Sequence, residues 1–85
     1  MRFQGALIKE QGVTFAIQIV KPYVIQSKSA AIDAQTAFRP AFPGVPIVLM
    51  AQDSRGIPTY YGRKDIVGFL SKTPMSAIPW KEYSF

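Results

Sequence analysis

Val13-Thr14-Phe15-Ala16-Ile17-Gln18-Ile19-Val20 alternates along its whole length. Val13, Phe15, Ile17 and Ile19 fall on one face, and Thr14, Ala16, Gln18 and Val20 on the other. This is the two-residue period of a β-strand, enriched in β-branched side chains. Residues 3–10 precede it across a Gln11-Gly12 break and alternate less cleanly, with Phe3, Gly5 and Leu7 against Ala6 and Ile8. A glycine turn between two such segments predicts a hairpin. Lys21-Pro22 ends it.

After Tyr23-Val24-Ile25 the period changes. Ser27 or Ser29 can accept from the orphan N–H groups of a helix start, and Asp33 complements its positive end. Ala31, Ala34, Ala37 and Phe38 follow helical spacing. Pro40 cannot continue the ladder and biases Arg39 away from helix, so the helix should stop near 39. Past the connector at 43–46, Ile47-Val48-Leu49-Met50-Ala51 is a continuous apolar run, the pattern of a central strand covered on both faces.

Asp53-Ser54-Arg55-Gly56 has turn chemistry. Residues 57–61 should return antiparallel, and Pro58 restricts them to a sheet edge or makes itself the first residue of the strand. Residues 63–72 read as a second helix with Ile66, Val67, Phe69 and Leu70 inward. The tail, residues 75–85, is too apolar to hang free and should dock on the body or on a partner subunit. The predicted fold is a two-layer α+β domain in the order β-β-α-β-β-α. It has a mixed four-stranded sheet, helices on one face and a docked C-terminal tail.

Eighty-five residues leave room for one domain, 1–85, and a chain this short buries only roughly 60% of its unfolded surface. Apolar residues at 48% and charged residues at 18% exclude intrinsic disorder. With no cysteine and no histidine, disulfides, thiol chemistry and imidazole catalysis are absent. No serine–lysine or glycine-rich phosphate motif is present, the five carboxylates are scattered, and neither an enzyme nor a cofactor is expected. The apolar runs at 13–20 and 45–51 fall short of the ~20 residues that cross a bilayer. The N-terminus has no apolar core of a leader, so the expected place is the cytoplasm, away from membranes.

Ten Lys and Arg against five Asp and Glu give a net charge of +5, without a polybasic run. The densest polar and aromatic stretch is residues 52–65. It places Arg55 on a turn, Tyr60 and Tyr61 on opposite faces of a short strand, and Arg63 and Lys64 at a helix start. Such a set suits a phosphate, a carboxylate or a stacked base. The same residues also have a plain structural use. Asp53 and Gly56 make the turn, Asp65 neutralises the helix start and one tyrosine fills the core.

The stretch 48–56, with Tyr60-Tyr61-Gly62-Arg63, Asp65-Ile66-Val67 and Ile78-Pro79-Trp80, resembles a group of short bacterial proteins of unassigned function. That resemblance covers nearly the whole chain and implies no activity. Residues 46–72, read as strand, turn, strand and helix, also resemble the closing half of the thioredoxin fold. No cysteine accompanies it, so no redox role does either.

Two functions are therefore expected. The leading one is a non-enzymatic interaction or accessory domain, a homo-oligomer joined through Trp80, Tyr83 and Phe85 or through the edge strand at 57–61. The alternative is a nucleic-acid or nucleotide binder that meets an anionic ligand with Arg55, Tyr60, Tyr61, Arg63 and Lys64. An enzyme acting on an anionic metabolite beside the same helix start forms a third class.

Overall fold

The alternation at 13–20 becomes the middle strand of a five-stranded sheet. The computed structural model describes residues 2–10 and 12–84. Strand β1 (Arg2–Glu10) and β2 (Val13–Ile19) form the expected antiparallel hairpin, with Ala6 opposite Ile17 and Ile8 opposite Phe15. Gly12 turns it at φ 79°, a backbone region that glycine enters without steric cost.

The chain then crosses over through α1 (Pro22–Gln26) and α2 (Lys28–Phe38) to β3 (Ile47–Gln52), which lies parallel to β2 with Ile17 opposite Val48. Strand β4 (Pro58–Tyr61) returns antiparallel as an edge, and Pro58 is its first residue. Helix α3 (Lys64–Leu70) follows, and the tail adds β5 (Lys81–Ser84) antiparallel to β1. The strand order is β4-β3-β2-β1-β5.

Three expectations are corrected. The sheet has five strands, because the docked tail joins it: β1 would otherwise offer an open row of backbone groups, which residues 81–84 complete. The tail's four-residue strand carries only Tyr83 as an inward apolar side chain, too little for a period to be read.

The helices lie on both faces. Ile66 and Leu70 of α3 pack with Phe15, Ile17, Val48 and Met50, whereas Ala31 of α2 packs with Ala16, Ile47, Leu49 and Phe42. A fully apolar strand demands this. The first five residues of β3 are all buried, so one layer of helices would leave an apolar sheet face in water.

Pro22 opens α1 instead of only closing the hairpin. Proline at the first helical position loses no intrahelical hydrogen bond. Ser27 ends that short helix and caps α2, its Oγ accepting from Ala30 N–H at 3.4 Å.

The β3–β4 turn follows the chemistry read from its residues. Asp53 Oδ1 accepts from the N–H groups of Arg55 (2.8 Å) and Ile57 (2.9 Å), and Gly56 sits at φ 81°. Among the described residues no helix is long and apolar enough to cross a membrane.

Candidate functional site: a cleft between α2 and the β4 edge

Helix α2 covers the middle of the sheet and stops short of its β4 edge. A cleft of about 730 Å³ remains, lined by Gln35 and Arg39 from the end of α2 and by the loop through Phe42 and Gly44. Tyr61, Gly62 and Arg63 form its other wall. Local chemistry explains each placement. Pro40 forces the chain out of α2 into a 3-10 turn at Arg39–Ala41, which leaves Arg39 exposed at the rim.

Register sets the wall. Tyr61 lies opposite Leu49, a residue of the α2-facing core, so its half-buried ring faces the same side. The β3–β4 ladder stops at that pair, and Gln35 Nε2 donates to the Ile47 carbonyl beyond it at 2.8 Å. Close packing supports the rim as well: a methyl group on Gly62 would stand 2.9 Å from Val48 Cγ2 and 3.2 Å from its Cα.

Arg63 lies just before α3 and is held by Asp65. Its Nε donates to Asp65 Oδ1 (3.0 Å) and its Nη2 to Asp65 Oδ2 (2.6 Å). The carboxylate, hydrogen-bonded to the guanidinium, is held below its usual pKa, and Arg63 is raised in turn. Both groups are exposed, so the pair orients the fork far more than it stabilises the fold. Asp65 also occupies the place beside the α3 start where an outside anion was expected. Arg39 has no ion-pair partner among the described residues.

The five residues grouped by sequence therefore separate. Tyr61 and Arg63 share the cleft. Arg55 sits on the exposed turn at the opposite end of β4, ~13 Å of strand away. Tyr60 faces the α3 side, opposite Met50. Lys64 begins α3 and is not in the lining. Arg39 and Gln35 were missed, because neither belongs to a motif and only the crossover of α2 brings them beside residues 61–63.

The aromatic tail is used inside the chain. Trp80 packs on the α3-side core and donates its Nε1–H to the Met75 carbonyl at 3.1 Å. Tyr83 stacks on Phe3 (5.5 Å, 16° between planes) and meets Phe42 edge-on at 5.0 Å. Phe85 lies outside the described residues.

Tyr60 carries a hydroxyl buried without a hydrogen-bond partner. Burial raises its pKa above the ordinary phenol value. A phenol whose folded pKa exceeds its unfolded one favours the native state below about pH 10, and that advantage is lost as pH rises through the folded value. Tyr60→Phe removes an unpaired buried group. It should match or exceed the parent by up to about 1 kcal/mol at neutral pH and lose less stability in alkali. Urea midpoints at about pH 7 and about pH 11 read both effects.

Among the described residues no group of three or more acidic side chains gathers where a metal ion could sit. No family model, curated protein or solved structure matches the chain.

Proposed function

We propose that the chain is a non-enzymatic binding module whose cleft takes a phosphate-bearing ligand with a planar ring: a nucleotide, or one nucleotide unit of a single strand. The observation that carries this reading is the convergence of Arg39, Arg63 and Tyr61, from two distant parts of the sequence, on one cleft. Its volume lies in the range of small-molecule sites. The Arg39 guanidinium suits phosphate oxygens, with bidentate geometry that a lysine cannot give, while Arg63, whose Nε and Nη2 are taken by Asp65, has its Nη1 left to offer. The tyrosine ring offers a stacking face, and the net charge of +5 favours approach by an anion.

The test is binding of fluorescent adenosine monophosphate and of a labelled single-stranded oligonucleotide at low salt. Arg39→Ala should weaken both by about tenfold or more. Arg55→Ala, at the other end of β4, should leave them unchanged. Affinity should fall with added salt. Absence of binding, or equal binding by Arg39→Ala, overturns the proposal.

A second reading, self-association, is favoured by the open edge of β4 with Ile57 exposed beside it. That edge is only four residues long and begins with a proline, which blunts strand pairing. Sedimentation equilibrium over a wide concentration range separates the two: a mass that rises with concentration supports self-association, and a constant monomer mass removes it.

A further inference from the structure

The cleft between α2 and β4 holds a hydrogen-bond acceptor that the fold itself does not use. Gln35 lines the cleft and is half-buried, and its Nε2 donates to the Ile47 carbonyl at 2.8 Å. The ladder explains that bond. Ile47 lies two residues before Leu49, where the pairing of β3 with β4 ends, so its carbonyl needs a donor from elsewhere. A carbonyl oxygen only accepts, so the amide must present its NH2 there and turn its own oxygen away.

That oxygen, Oε1, has no hydrogen-bond partner among the described residues. The side-chain polar atoms buried there without a partner are Gln18 Oε1 and Tyr60 Oη, so Gln35 Oε1 is not closed in and can be reached from outside. An ammonium group would satisfy the Ile47 carbonyl as well as an amide does. What the amide adds is an acceptor, anchored through its own nitrogen. Gln35 and Arg39 stand four residues apart, with Arg39 still in helical conformation, and share a face at the end of α2. Tyr61 belongs to the opposite wall.

We propose, on the reading of this cleft as a nucleotide site, that Gln35 selects a base with an exocyclic amino group, adenine among them. The amino N–H donates to Oε1 while the ring stacks on Tyr61 and the phosphate meets Arg39. A glutamine oxygen is a natural acceptor for the adenine amino group. A ring without a donor at that position leaves Oε1 to water and gains nothing from it. Gln35 then reads the base, and Arg39 the phosphate.

The probes are adenosine monophosphate and purine riboside 5′-monophosphate, which has the same phosphate, sugar and ring but hydrogen in place of the amino group. Each is titrated calorimetrically into the full chain at low salt. Adenosine monophosphate should bind about threefold to tenfold tighter, the worth of one hydrogen bond. Gln35→Lys keeps a donor for the Ile47 carbonyl but has no acceptor, so the two ligands should bind it equally. Should Gln35→Lys not fold, the comparison on the unaltered chain still decides. Equal affinity for the two on the unaltered chain, with binding still weakened by Arg39→Ala, overturns the amino-group selection and leaves the phosphate site standing. A preference that Gln35→Lys retains also overturns it, since Gln35 then serves only the Ile47 carbonyl. Binding of neither nucleotide ends both readings.

Discussion

Gly5→Ala should destabilise the protein by about 2–3 kcal/mol, a cost typical of overpacking a closed interior. Gly5 lies in β1 with β2 on one side and β5 on the other, opposite Gln18 and Lys81. A methyl group at this position runs into the backbone carbonyl oxygen of Ile17, with Phe3 Cε2 at 3.4 Å. A flexible side chain could turn aside, but a carbonyl held in a sheet moves only if the strands part. The contrast is Gly68 in α3, where an added methyl meets nothing within 4 Å. There alanine removes the entropic handicap of a helical glycine, and Gly68→Ala should stabilise by about 0.5–1 kcal/mol. Denaturant midpoints of the two variants should therefore move in opposite directions. If both fall together, the tight β1–β2 contact is not what constrains position 5.

Phe15→Ala should be the most damaging truncation, at about 3–5 kcal/mol. The ring is 2% exposed in the core between the sheet and α3 and meets Phe69 edge-on at 6.3 Å. Globular chains hold roughly 0.05–0.15 kcal/mol per residue, so 85 residues have roughly 4–13 kcal/mol in total. The loss takes a large part of that and should lower the melting temperature by at least about 12 °C, read by circular dichroism. A shift below about 5 °C would mean that α3 is not sealed onto this face.

The elements that were legible from sequence are those with strong local grammar. The alternation at 13–20, the apolar run at 47–51 and the Asp53-Gly56 turn each name their structure, because side-chain periodicity and turn hydrogen bonds act over a few residues. The layering was legible in part, since a strand apolar on both faces already requires two covers. The fifth strand was not. Lys81–Ser84 pairs with β1, far away in the chain, and its stability comes from a free sheet edge and from Phe3 and Phe42, which no local window contains.

The cleft shows the same limit. Tyr61 and Arg63 stand in the stretch that drew attention for its charge and rings. Their companions Arg39 and Gln35 come from a helix whose sequence shows only an alanine-rich apolar stripe. Arg55 and Tyr60, neighbours in sequence, are carried off by a strand's length and by a strand's alternation.

The most direct measurement is an amide chemical-shift map of the unaltered chain as adenosine monophosphate is added at low salt. Saturable shifts at Gly44, Val45, Gly62 and Arg63, with Ser54, Arg55 and Gly56 unmoved, are the predicted result. Shifts gathered on the 53–56 turn, or none at any concentration, would contradict an anion site between α2 and β4.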